Sequence, residues 1–97
     1  MRPLFSRRVP PPRATLYSKE DCPLCEDAER SVRAAFGSAR VDVVDISGDR
    51  RLEDEFIFRI PVLLVEGRVF AEGQITMADA KAARQAARNS PKFGEVR

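Results

Sequence analysis

Histidine is absent from the 97 residues, and cysteine occurs only twice. Without histidine, this chain cannot supply a Ser-His-Asp triad, a Cys-His nucleophile pair or a histidine-based metal site. Two cysteines cannot build a disulfide-dense secreted scaffold. The longest apolar run is the four residues Val62 to Val65, whereas a spanning helix needs about 20, so no membrane association is expected. Met1 to Arg13 holds no apolar stretch suited to a secretory signal. A strong charge of one sign is also missing: charged residues make up 33%, yet the net charge is +2. The segment 1–13 carries four arginines and no acid, which leaves the remainder slightly acidic. A nucleic-acid partner requires a basic face on the domain, and none is expected here.

Hydrophobic residues form 43% of the chain. At this length that suits one domain burying roughly 60–65% of the surface its unfolded chain exposes. Residues 1–13 are expected to form a flexible, extended arm, because Pro10, Pro11 and Pro12 favour polyproline II. Its arginines resemble a targeting peptide, but its prolines oppose the amphipathic helix such peptides form. The domain is expected over 14–90, followed by a tail at 91–97. Ala14 to Tyr17 predicts a strand. Cys25, Ala28, Glu29, Val32, Ala35 and Phe36 have helical spacing, with Pro23 suited to the first turn and Gly37 to the stop. Val41 to Ile46 predicts a second strand, and Asp49 caps a short helix holding Leu52 and Phe56. Val62 to Val65 and Arg68 to Ala71 form a hairpin about Glu66-Gly67. Thr76 and Asp79 outline a capping box for a last helix with an apolar face of Met77, Ala80, Ala83 and Ala87. The order is β-α-β-α-β-β-α, which predicts a mixed four-stranded α/β sheet with helices on both faces.

Chemistry concentrates in Tyr17-Ser18-Lys19-Glu20-Asp21-Cys22-Pro23-Leu24-Cys25. A Cys-x-x-Cys pair is also half of many zinc sites, but zinc takes four ligands and no further Cys or His exists. The pair could equally be two small buried hydrophobes. Its position, after a strand and at the start of a helix, is the context that redox chemistry requires. Free N–H groups and the dipole at a helix N-terminus favour a thiolate on Cys22. A thiolate is the species that attacks disulfides. Cys25, one turn further in, can then resolve the mixed disulfide.

The stretch Tyr17-Ser18-Lys19-x-x-Cys22-Pro23-x-Cys25 resembles the active-site segment of glutaredoxins. Phe56-x-x-Arg59-Ile60-Pro61-Val62-Leu63 resembles the segment before the third strand of the same superfamily. The resemblance covers about residues 14–88, and it is nearest to the glutaredoxin-like group long described as a domain of unknown function. It implies a thioredoxin-like fold with sheet order 2-1-3-4, strand 3 antiparallel to the rest, and a cis Ile60-Pro61 packed beside the cysteines. It also implies a small thiol–disulfide oxidoreductase. Cys22 and Cys25 are then its catalytic pair, and Lys19, Pro23, Ile60 and Pro61 its substrate-binding residues. No metal or prosthetic group is expected, and glutathione enters only as a possible cosubstrate. The expected partners are a disulfide-bearing protein or small-molecule disulfide, with a reductase or glutathione as electron donor. The chain is expected to be a cytoplasmic monomer. Two further readings stand beside this one: an iron–sulfur or other metal-binding module using the cysteines, and a non-catalytic interaction domain.

Some positions depart from the glutaredoxin pattern. Ala71-Glu72 stands where a Gly-Gly pair is usual, with Gly73 one later, and Gln74-Ile75-Thr76 replaces an acidic pair that holds the amino end of glutathione. Lys19 matches a lysine that meets a glutathione carboxylate, but Glu20, Asp21, Glu26, Asp27 and Glu29 surround it and disfavour an anion. Ile57 occupies a common glycine position after the second helix; a β-branched residue tolerates positive φ badly, so that helix is expected to end differently. Arg59 is expected to be a solvated loop residue or a partner contact. Asp42 and Asp45 are expected on an exposed strand face, with a buried proton carrier beneath the cysteines as the alternative.

Overall fold

The computed structural model describes residues 11–89. The elements are β1 (Ala14–Ser18), α1 (Pro23–Phe36), β2 (Val41–Asp45), α2 (Arg50–Phe56), β3 (Val62–Val65), β4 (Arg68–Glu72) and α3 (Met77–Asn89). Short 3-10 turns at Ser38–Arg40 and Ile46–Gly48 lead into and out of β2. The strands lie in the order β2-β1-β3-β4. β1 and β2 are parallel, and β3 runs antiparallel to both β1 and β4. This is the thioredoxin-like arrangement that the resemblance implied.

The two faces of the sheet follow from the two-residue period of its strands. Ala14, Leu16, Leu63 and Val65 point to one face and pack with Ala28, Val32 and Phe36 of α1 and Ala80 and Ala83 of α3. Tyr17, Val62 and Leu64 point to the other, where Leu52, Phe56 and Ile57 cover them together with Ile46. The rings of Tyr17 and Phe56 meet with centroids 4.9 Å apart, tilted by 56°. Burying each of the larger aliphatic side chains contributes roughly 1.5–3 kcal/mol.

Helix ends follow local chemistry. Pro23 sits in the first turn of α1, where its missing N–H costs no helical bond. At the other end, Gly37 takes φ 93° while its N–H closes onto the Arg33 carbonyl at 2.8 Å. α2 finishes without a positive φ: Ile57 stays right-handed at φ −54°, and the Arg59 and Ile60 N–H groups both return to the Phe56 carbonyl. The capping box of α3 is reciprocal. The Thr76 N–H donates to Asp79 Oδ2 at 2.9 Å, and the Asp79 N–H donates to Thr76 Oγ1 at 3.1 Å.

Three strand boundaries differ from the sequence expectation. β1 continues to Ser18, which pairs with Asp45, rather than ending at Tyr17. β2 ends at Asp45 rather than Ile46, because the Asp45 carboxylate accepts from the Ser47 N–H at 2.9 Å and turns the chain out of the ladder. β4 continues to Glu72, which pairs with Val62. Phe70 is the extra residue of a bulge, since Leu63 pairs with Ala71 but Leu64 with Val69. The hairpin turns through Glu66 at φ 52° and Gly67 at φ 84°, the pair of left-handed residues that a two-residue turn requires.

Residues 1–10 of the arm and the tail at 91–97 lie outside the described residues. The end of the arm belongs to the packed unit. Pro12 is buried. The Arg13 carbonyl accepts the Glu66 N–H at 3.4 Å, the Arg13 N–H donates to Glu66 Oε2 at 3.1 Å, and its guanidinium donates to both oxygens of Asp42 at 3.2 Å. Among the described residues, no helix is long and apolar enough to cross a membrane.

Candidate active site

β1 ends at Ser18 and β3 starts at Val62, which pairs with Tyr17. That register brings the loop after β1 and the Ile60–Pro61 step to the same end of the two central strands. The Ile60–Pro61 peptide is cis. Pro61 is fully buried, while Ile60 is half-buried in the α2-side cluster.

The loop after β1 turns through Asp21 at φ 58°, a conformation that Asp adopts more readily than most residues. Cys22 follows as the N-cap of α1, extended at φ −121° and ψ 98°. Its Sγ accepts the Cys25 N–H at 3.2 Å, and its carbonyl accepts the Glu26 N–H at 3.0 Å. Cys22 and Cys25 form a disulfide, with Cα atoms 5.1 Å apart. The two sulfurs differ in access: Cys22 is half-buried, whereas Cys25 is 1% exposed. Pro23 and Leu24 lie exposed between them.

Beside this loop is an open depression of about 350 Å³ bordered by Ser18, Lys19, Glu20, Asp21, Glu26, Glu29, Val43 and Asp45. Lys19 is its one cation among five carboxylates. The Asp45 carboxyl is held below its ordinary value by the Ser47 hydroxyl and then the Ser47 N–H; the charge of Lys19 adds to this, and partial desolvation opposes it. Asp42 and Asp45 are both exposed, so neither is a buried group beneath the cysteines. Glu29 is drawn toward Arg33 at 2.9 Å, and Asp27 pairs with Arg30.

Arg59 is more engaged than a solvated loop residue. Its Nε and one terminal nitrogen donate to the two carboxylate oxygens of Glu72 at 2.9 and 3.0 Å. The guanidinium also lies 4.7 Å from the Phe56 ring centre and 3.6 Å from Glu55. The Arg59 and Pro61 carbonyls both accept the Gly73 N–H, at 3.2 and 2.8 Å.

The fold therefore brings Cys22, Pro23 and Cys25 together at the tip of α1 and places Lys19 in the adjoining depression. Ile60 and Pro61 stand on the neighbouring strand connection. Sequence reasoning missed Val43 and Asp45 as borders of that depression, because they come from β2. It also missed the Arg59–Glu72 pair; an opposite charge across a predicted hairpin was the only available signal. Among the described residues, no group of three Cys, Asp or Glu side chains is placed to hold a metal ion.

Comparison with known proteins agrees with this geometry. No curated protein matches the chain. Among solved structures, the X. campestris protein XcR50 is 31% identical with a TM-score of 0.66, over 75% of this chain and 96% of that one. The Nitrosomonas europaea protein Ne2328 is 26% identical with a TM-score of 0.64, over 80% of this chain and 95% of that one. The family described as Glutaredoxin-like domain (DUF836) matches residues 13–86, from the anchored Arg13 to the last turns of α3. With the sheet order, the paired cysteines and this match in agreement, the chain belongs to the glutaredoxin-like domain family.

Proposed function

We infer that the protein is a small thiol–disulfide oxidoreductase that cycles Cys22 and Cys25 between dithiol and disulfide. One observation carries this reading: two cysteines joined at a helix N-terminus, the first accessible and the second buried. In the reduced protein, the helix N–H groups stabilise a thiolate at Cys22. That thiolate attacks one sulfur of a substrate disulfide, the substrate S–S bond breaks, and the departing thiolate takes a proton. The Cys25 thiol gives up its proton and attacks Cys22 Sγ, which releases the second substrate thiol. The substrate gains two electrons, and the protein is left as the disulfide. Two thiols of glutathione, or one dithiol reductase, return the electrons.

The backbone of Ile60, beside the buried Pro61, docks the substrate's extended chain, Pro23 stiffens the cysteine turn, and Lys19 meets an anionic group of the substrate. The substrate is a disulfide-bearing protein or a small-molecule disulfide. The chain acts as a monomer in the cytoplasm, where the dithiol form is maintained. No metal or prosthetic group takes part. The carboxylates around Lys19 make glutathione a poor donor, because it is an anion approaching a negative rim.

The test is turnover of bis(2-hydroxyethyl) disulfide with two donor systems, glutathione with its reductase and thioredoxin with its reductase. Activity that requires Cys22 and is faster with thioredoxin supports the reading. Failure to reduce the disulfide with either donor, while the purified protein absorbs in the visible after anaerobic isolation, supports a metal-binding module instead.

A further inference from the structure

We propose that Arg59, clamped by Glu72, is a positioning residue that holds the Ile60–Pro61 step ready for a substrate chain. This rests on the docking role proposed above for that step. Three interactions converge on Arg59. Its guanidinium grips the Glu72 carboxylate through two parallel bonds at the end of β4. It lies over Phe56 at the end of α2. Its own carbonyl shares the Gly73 N–H with the Pro61 carbonyl. The connection from α2 to β3 is therefore tied to the end of β4 by backbone and side chain together.

A two-pronged guanidinium–carboxylate pair fixes direction as well as distance. Stacking on Phe56 restricts it further. The Gly73 N–H reaches the carbonyls on either side of Ile60, and the Arg59 side-chain bonds anchor the residue before it, so these bonds together resist a shift of the step. The pair is also non-local, thirteen residues apart on either side of the β3–β4 hairpin. Holding a docking backbone in its bound shape lowers the ordering cost of binding. The clamp should therefore matter for an extended substrate and not for one too small to reach the step.

Single-turnover oxidation of the reduced protein separates the two cases without a reductase. One substrate is bis(2-hydroxyethyl) disulfide. The other is a short peptide whose one cysteine is a mixed disulfide with 2-mercaptoethanol. For Arg59→Gln and for the milder Glu72→Gln, the half-saturating peptide concentration should rise about three- to tenfold. The maximal rate and the rate with the small disulfide should stay at the parent values. Arg59→Lys, a single-pronged cation, should fall between. Amide exchange at Gly73 should quicken in the same order. An unchanged peptide half-saturation in both Gln variants overturns the proposal. So does an equal loss with both substrates accompanied by a lower thermal midpoint, which marks general damage to the fold. Failure of the parent protein to oxidise with either substrate instead removes the oxidoreductase reading, and the clamp's role with it.

Discussion

Cys22 Sγ accepts the Cys25 N–H at 3.2 Å, so the sulfur at the tip of α1 is also the cap of that helix. In the proposed cycle the position serves structure and reactivity at once, because the same N–H groups that need a partner are those that stabilise a thiolate.

Substitution at the two cysteines should therefore separate these roles. Under reducing conditions, Cys22→Ser retains a side-chain acceptor, whereas Cys22→Ala loses it. The Ala variant should be less stable than the Ser variant by about 0.5–2 kcal/mol, read from denaturant midpoints. Equal stabilities would show that the sulfur contributes nothing as a cap.

Access assigns the chemistry. Iodoacetamide at neutral pH should modify Cys22 before Cys25, which is 1% exposed. Cys25→Ser should accumulate a mixed disulfide on Cys22, and Cys22→Ser should exchange no thiols. Mass spectrometry of the reacted variants checks all three. Faster labelling of Cys25 would reverse the proposed roles.

The rim around Lys19 should tune both thiol and substrate. Glu20 and Asp21 border the depression beside Cys22, and their charge opposes thiolate formation. Replacing them with Gln and Asn should lower the pH at which Cys22 becomes reactive and raise the glutathione-dependent rate. Asn suits the left-handed backbone at position 21. Both effects should shrink as salt shortens the Debye length from about 10 Å at 0.1 M to about 3 Å at 1 M. A double variant that matches its parent at low ionic strength would exclude this tuning.

Acid should loosen the carboxyl end of the fold. The Thr76 N–H, then the Thr76 hydroxyl, holds the Asp79 carboxyl below its ordinary value of 3.8. Glu72 is lowered from 4.5 by its hydrogen bond to Arg59. A depressed carboxyl contributes stability that is present above its unfolded value and lost as pH falls through the folded one. Thermal midpoints followed from neutral to strongly acidic pH should fall below about those ordinary values. Asp79→Asn should start lower at neutral pH and lose less on acidification. A parallel curve for Asp79→Asn would show that the capping box does not report in this window.

Arg13 offers a check on where the domain begins. Its pair with Asp42 is more than half exposed on both sides, which limits it to about 0.2–1 kcal/mol. Arg13→Ala should lower the thermal midpoint by at most roughly 4–8 °C, with the difference narrowing in high salt. A larger loss would mean that its bond to the Ala39 carbonyl and the packing of its side-chain stem carry more than the ion pair.

Much of this protein was legible in local pattern. The stripe of Cys25, Ala28, Val32 and Phe36, the stop at Gly37, the Glu66-Gly67 turn and the Thr76–Asp79 box are all governed by residues within a few positions of one another. Their physics is local: helical period, caps, and the backbone freedom of glycine. The cysteine pair is legible for the same reason, since both sulfurs lie within one turn of the same helix. The ends of β2 and β4 were less so, because Asp45 chose its Ser47 bond over the ladder, and Glu72 gained a partner in Val62 that only the sheet register supplies. Tertiary structure alone set Val43 and Asp45 beside Lys19, placed Arg59 on Glu72, and brought Ile60–Pro61 to the end of the sheet where α1 begins. These neighbours come from strands far apart in sequence. Their contacts depend on the order in which strands pair, which no local periodicity encodes.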